Sequence, residues 1–164
     1  MTTQITDESL LKDALSQFPA GVVALSATVQ DERQVLVASS FSVGISHEPP
    51  LVLFSVQKSS STWPKIKDAP FIGVSVMGED HHPVCRQLAS RDKAKRFNGV
   101  ETVSGERNDL YISGSPLWLT CSIHREIDAG DHILILLQVE DFRSHSVHKP
   151  LVLHRSTFGR LDPL

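Results

Sequence analysis

Residues 36–66 read LVASSFSVGISHEPPLVLFSVQKSSSTWPKI. The stretch joins β-branched, apolar runs to a paired proline, and it closes on a lysine followed by three serines, a threonine, a tryptophan and a proline. Strand-forming runs cut by turn residues indicate β-structure. In ASSF, residues 38–41, the serines Ser39 and Ser40 point to opposite faces of a strand. One of them then sits where a planar ligand lying along the strand meets hydroxyls and backbone N–H groups; small residues packing a barrel edge are the plainer alternative. In KSSSTWP, residues 58–64, Pro64 is tolerated only in a first helical turn. Ser60 or Ser61 then falls at the N-cap, with Thr62 and Trp63 opening the helix. Free N–H groups, hydroxyls and Lys58 together suit a phosphate, whereas ordinary capping explains the same residues without a ligand.

Around this stretch, the strands multiply. Residues 21–29, GVVALSATV, and 35–43, VLVASSFSV, read as a hairpin across the polar turn DERQ at 31–34. HEPP breaks the chain. LVLFSV (51–56) and FIGVSV (71–76) are further strands. PLWLTCSIHREI (116–127) and DHILILLQVEDF (131–142) meet at an AGD turn, residues 129–131, and PLVLHRSTF (150–158) closes the set.

Helices are few. TDESLLKDALSQFPAG, residues 6–21, is amphipathic, with Thr6 or Asp7 as cap and with Leu11, Leu15 and Phe18 on one face. STWPKIKD (61–68) is a turn or two. HHPVCRQLASRDKAKRF (81–97) is longer, with Val84, Leu88 and Ala89 turned inward. Many short strands with helices set aside predict a mainly β fold with a few helices, a β-barrel with appended helices. A parallel dinucleotide-binding sheet is not expected, and neither GxGxxG nor a Walker sequence occurs.

The totals fit one domain over residues 1–164, with 40% hydrophobic and 21% charged residues. Net charge is −3 and interspersed, so nothing marks a nucleic-acid surface. The longest apolar run, residues 133–137, is too short for a membrane span. The first residues lack a basic region followed by an apolar core, and two cysteines make no disulfide scaffold, so a cytoplasmic location is expected. HHPVC (His81, His82, Cys85) and HSVH (His145, His148) lack a complete ligand set, so no metal is expected. Cys121, inside an apolar strand, reads as a core thiol. His132 follows the AGD turn, where it reaches either a cleft or the surface. No serine lies in a GxSxG elbow.

Five pieces in order, ALSQFPAGVVALSA (14–27), residues 37–66, RFNGVE (96–101), residues 114–142 and PLVLHRSTFGRL (150–161), resemble the flavin reductase family of the FMN-binding split barrel. Its members are the small reductase components of two-component flavin-dependent monooxygenases. The resemblance implies a Greek-key split β-barrel that forms a homodimer, with flavin near the dimer interface. It implies that Ala38, Ser39 and Ser40 lie along the isoalloxazine ring and that Ser55, Val56 and Gln57 approach it. Lys58, Ser61 and Thr62 would hold the phosphate, with Ser60 helping. Arg96 and Phe97 match a position near the flavin, Phe158 stands where an aromatic residue is usual, and His132 matches a residue on the nicotinamide side. Ser75, in VSVM, stands where the family often has asparagine, and GEDHHPVC (78–85) has no clear counterpart. The implied reaction is hydride transfer from NADH or NADPH to FMN or FAD, supplying a partner monooxygenase. The alternative is a flavin-binding protein or oxidoreductase of the same fold that retains its flavin, without free-flavin reductase activity.

Overall fold

A computed structural model describes residues 7–164. Thr6, one of the two expected caps, lies outside them. Asp7 caps the first helix, α1 (Glu8–Leu15), by accepting from the N–H groups of Ser9 and Leu10 at 2.9 and 3.3 Å. The strands that follow are β1 (Ala20–Gly21), β2 (Val23–Val29), β3 (Glu32–Ala38), β4 (Ser42–His47) and β5 (Pro50–Gln57). The short helix α2 (Trp63–Ile66) and β6 (Ile72–Val76) precede α3 (His82–Leu88). Then come β7 (Thr102–Ser104), β8 (Leu110–Ile112), β9 (Leu117–Ala129), β10 (His132–Ser144), β11 (Leu151–His154) and β12 (Thr157–Arg160).

Seven strands form one sheet in the order β3-β2-β6-β9-β10-β5-β4, and each neighbouring pair is antiparallel. The sheet curls, and its two arms meet at Ser40. The Ser40 hydroxyl donates to the Ser55 carbonyl at 3.2 Å and accepts from the Ser55 N–H at 3.0 Å. This is a mainly β split barrel, as the sequence implies. A three-stranded sheet (β1-β11-β12) and the β7-β8 pair complete it.

Apolar side chains decide which face of each strand turns in. In β5, Val52, Phe54 and Val56 are buried, whereas Ser55 and Gln57 face away. Phe54 meets Trp63 edge to face, with centroids 5.4 Å apart. Burying a side chain of this size contributes about 1.5–3 kcal/mol, so α2 is pinned by its tryptophan rather than by its single turn of helix. Leu25, Ile66, Ile72, Val74, Leu119, Ile135 and Leu137 fill the same barrel core. A second core, with Met77, Cys85, Leu88, Ile112 and Leu151, lies under α3.

Several boundaries differ from expectation. Residues 35–43 are not one strand: β3 ends at Ala38, and β4 pairs with β5 on the far edge of the sheet. The first hairpin turns at Gln30 and Asp31, both with positive φ, so Glu32, Arg33 and Gln34 belong to β3 and not to the turn. Residues 150–158 contain a second reversal, at Arg155 and Ser156, that separates β11 from β12. The expected helix over 81–97 stops at Leu88; a 3-10 turn, Lys93–Lys95, follows, and Ala89 is exposed. There the Arg96 Nε donates to the Ser90 carbonyl at 2.7 Å, which folds the chain back on itself. The β9-β10 turn sits where AGD places it, with Gly130 at φ +64°. On α1, Leu11 is half-buried, while Leu15 and Phe18 are exposed, Phe18 to 81%. Among the described residues no helix is long and apolar enough to cross a membrane.

Candidate functional site

The ends of β3 and β5, the loop into α2, and the start of β10 surround one open basin of about 590 Å³. That falls within the range of small-molecule sites, roughly 300–1,000 Å³. Its lining includes Ala38, Ser39 and Ser40 from the end of β3, Ser55, Val56 and Gln57 from β5, and Ser60, Ser61, Thr62, Arg96 and His132. All of these were anticipated from the sequence. Leu36, Val37, Ser59 and Arg91 also line it and were not. Arg91 carries one available signal: it sits in SRDK, just ahead of the RF pair, in a charged segment with no apolar period.

Each wall is fixed by bonds that the sequence makes locally available. The Lys58 N–H donates to the Asp131 carbonyl at 2.9 Å, which ties the loop after β5 to the β9-β10 turn. The Ser60 hydroxyl accepts from the N–H groups of Thr62 and Trp63 at 3.3 and 3.2 Å. Capping is therefore the work of Ser60, whose hydroxyl occupies two of the N–H groups at the helix start. Thr62, only 3% exposed, accepts at its hydroxyl from Arg96 Nη1 at 3.0 Å. The same guanidinium donates to the carbonyls of Val35 and Ser90. Arg96 thus holds β3, the loop before the RF pair and Thr62 in one arrangement. Burial lowers its guanidinium below the ordinary value, and an arginine nonetheless stays charged.

At the other end, His132 Nδ1 lies 2.6 Å from the Asp131 carboxylate. With Nδ1–H donating there, the neutral ring keeps Nε2 as an acceptor. The bond from His132 holds the Asp131 carboxyl below the usual carboxylate range. The basin therefore has hydroxyls and amides along its middle, a histidine at one end and arginines at the other.

Three anticipated residues lie outside it. The Lys58 ammonium pairs with Asp128 at 3.3 Å, across the β9-β10 hairpin. Phe97 packs against the second core under the Arg33 guanidinium, 4.5 Å from its ring centre. Phe158 lies beneath Arg86, at 5.3 Å. Ser75 does not line the basin either: it is buried, and its hydroxyl accepts from the Ile112 N–H at 2.9 Å.

The other clusters have structural occupations. His81 Nδ1 accepts from the Gly78 N–H at 2.9 Å, so its Nε2–H donates to the Ser113 carbonyl at 2.8 Å. Both of its ring nitrogens are engaged. His145 bonds the Ser115 carbonyl and meets Trp118 edge-on. Burial pushes the Cys85 thiol up to about 11 and the Cys121 thiol up to about 12, which makes both poor ligands and nucleophiles. Among the described residues no group of three or more metal-ligating side chains occurs. A narrower cavity of about 320 Å³ lies at the far end of the β9-β10 ladder. There the Tyr111 hydroxyl donates to Asp109 and accepts from Thr120, each at 2.5 Å. That triad satisfies itself and leaves no group poised toward a ligand.

Known proteins resemble this chain over nearly its whole length. The profile of the "Flavin reductase like domain" family matches residues 15–162. A flavin reductase of Pseudomonas putida is 31% identical, over 93% of this chain and 89% of its own length. The HsaB reductase subunit of a flavin-dependent monooxygenase from Rhodococcus jostii is 28% identical, over 99% of this chain and 83% of its own. Among solved structures, the NADH:FAD oxidoreductase SgcE6 of Streptomyces globisporus C-1027, in complex with NAD and FAD fragments, superposes with a TM-score of 0.89. It is 27% identical, over 99% of this chain and 98% of that one.

Proposed function

The chain belongs to the flavin reductase like domain family, and from that membership we propose that the basin seats a flavin and a reduced nicotinamide nucleotide face to face. The protein is an NAD(P)H:flavin oxidoreductase that supplies reduced flavin to a partner monooxygenase, working as one domain over residues 1–164. The observation that carries this is the convergence of residues 38–40, 55–57 and 60–62 with Arg96 and His132 on one open basin. The donor set fits the flavin: small side chains and amides along a strand for a planar ring, hydroxyls and an arginine for a phosphate.

When bound, flavin and NADH or NADPH supply the hydride chemistry themselves. What the chain contributes is position. Ala38, Ser39 and Ser40 and the facing Ser55, Val56 and Gln57 form the ring's bed. Ser61, Thr62 and Arg96 hold the phosphate end, with Ser60 keeping the loop in shape by its cap. His132, steadied by Asp131, orients the nicotinamide and transfers no proton. Within that bed the apolar Ala38 and Val56 side chains pack into the barrel core and keep water from its underside, and alignment of the two rings accounts for most of the rate. Because the basin is open, the flavin exchanges with solvent as a substrate.

The test is NAD(P)H oxidation followed with and without added FMN or FAD. Free flavin is expected to raise the rate with at least one nucleotide. No flavin-dependent rate with either one would sink the reductase reading in favour of a protein that binds or retains flavin without reducing it in free form.

We also assign a homodimer and a cytoplasmic setting, in which the two buried thiols stay reduced. The dimer rests on apolar side chains left exposed by one copy: Leu15 and Phe18 beside β1, and Val43 and Ile45 on the edge strand β4. An exposed apolar edge strand is an aggregation hazard unless it is covered. Light scattering is expected to give about twice the chain mass of 18.1 kDa. A monomer that still binds flavin removes the dimer.

A further inference from the structure

The chain as a whole carries a net charge of −3, yet one rim of the basin gathers cations. Arg91 and Arg96 line it. The Lys93 ammonium lies 3.4 Å from the Ser61 carbonyl. Lys93 is held below the ordinary lysine value by burial first, then by the neighbouring charges of Lys65 and Arg96. The ion pairs of the described residues join Lys12 to Glu8, Lys58 to Asp128, Lys95 to Asp92 and His132 to Asp131. None of them neutralises Lys65, Arg91, Lys93 or Arg96. The bonds of Arg96 go to neutral oxygens, those of Ser90, Val35 and Thr62, and Asp92, the acid nearest in sequence, is engaged by Lys95.

Like charges held close together repel, and an anion among them removes the repulsion and gains attraction. One phosphate beside Ser61 and Thr62 answers the charge of Arg96. It leaves Arg91, which lines the basin, and Lys93, beside Ser61, without a counter-charge. We propose that Arg91 and Lys93 form a second anion subsite that holds the second phosphate of a dinucleotide flavin, so that this chain selects FAD over FMN. The proposal rests on the basin being the flavin site. The diphosphate of a nicotinamide dinucleotide has the same chemistry, and the experiment separates the two.

Dissociation constants for FAD, FMN and riboflavin are measured by flavin fluorescence on the full chain, alongside the Arg91→Gln/Lys93→Gln variant, with thermal melting as the check on folding. Exposed charge contacts of this kind each contribute modestly, so the wild type is expected to bind FAD about tenfold more tightly than FMN. The advantage shrinks as salt rises, because exposed charges are screened. In the double variant the loss for FAD is at least fivefold larger than the loss for FMN or riboflavin, and Arg91→Lys retains most of the advantage. Equal losses for FMN and FAD place these cations at the first phosphate and overturn the proposal, as does a wild type without preference for FAD. A raised KM for NADH or NADPH with riboflavin as acceptor, at unchanged flavin affinity, gives the rim to the nicotinamide nucleotide and overturns it equally. If no flavin of the three binds the wild type, the flavin site itself is lost, a result distinct from all of these.

Discussion

Thr62→Ala is expected to weaken FMN binding by roughly ten- to a hundredfold and to leave riboflavin binding within about twofold. The Thr62 hydroxyl is buried and accepts from Arg96 Nη1. Removing it takes a hydroxyl from the proposed phosphate end and loosens the side chain that carries the charge there. The Thr62 O–H is proposed to donate to the phosphate; a hydrogen bond to a charged group is worth about 1.5–3 kcal/mol, and each 1.4 kcal/mol is about tenfold in affinity. Loss of a helix cap does not confuse the result. The cap of α2 is the Ser60 hydroxyl, and the Thr62 side chain makes no capping bond. Riboflavin has the same ring and no phosphate, so it reports on the bed alone. Thr62→Ser keeps the hydroxyl and is expected to recover most of the FMN affinity. Titration of both flavins against the three proteins decides the matter: equal losses for FMN and riboflavin in a folded Thr62→Ala protein put the phosphate somewhere other than the 58–64 loop.

That prediction could be framed from the sequence because the relevant chemistry is local. Hydroxyls, a proline and a tryptophan within seven residues specify a short capped turn, and the alternation of Val52, Phe54 and Val56 with Ser55 and Gln57 specifies which side of β5 faces the basin. The glycine of the β9-β10 turn is equally local. What the sequence hid depends on distant partners. Residues 35–43 look continuous because nothing nearby ends the strand. The link that closes the arms there is the Ser40 hydroxyl on the Ser55 backbone. The sequence likewise does not show that the β9-β10 hairpin brings Asp128 beside Lys58. The apolar stripe of α1 is plain in the sequence, but a stripe does not name what covers it, and Leu15 and Phe18 emerge uncovered. Ser75 is a further case. Its place in VSVM implied a flavin contact altered from asparagine to serine, whereas its hydroxyl docks the backbone of β8, a strand too short to read in advance.

The docking of β8 on β6 makes Gly73→Ala a strongly destabilising substitution. A Cβ at Gly73 would lie 2.0 Å from the Leu110 carbonyl oxygen and 2.9 Å from the Leu110 nitrogen, which are backbone atoms with no rotamer to give way. The Leu110 carbonyl accepts the buried Ser26 hydroxyl at 2.7 Å, and two residues on, the Ile112 N–H donates to Ser75. Ser26 stands opposite Gly73 in the β2-β6 ladder. Glycine at 73 is therefore what lets two serines draw the β8 backbone down onto the sheet. Adding one methyl forces β8 away and leaves those buried hydroxyls and backbone groups without partners. Overpacking costs about 1–3 kcal/mol, and each buried polar group left unsatisfied adds about 1–3 kcal/mol. A loss near 3 kcal/mol corresponds to a fall of roughly 6–12 °C in Tm for a domain of this size. Gly21→Ala is the control, since nothing lies within 4 Å of its Cβ position, and it is expected to melt within about 2 °C of the wild type. A Gly73→Ala protein that melts with that control means β8 is free to shift at little cost, and the tight seat of β8 on β6 is then not a support of the fold.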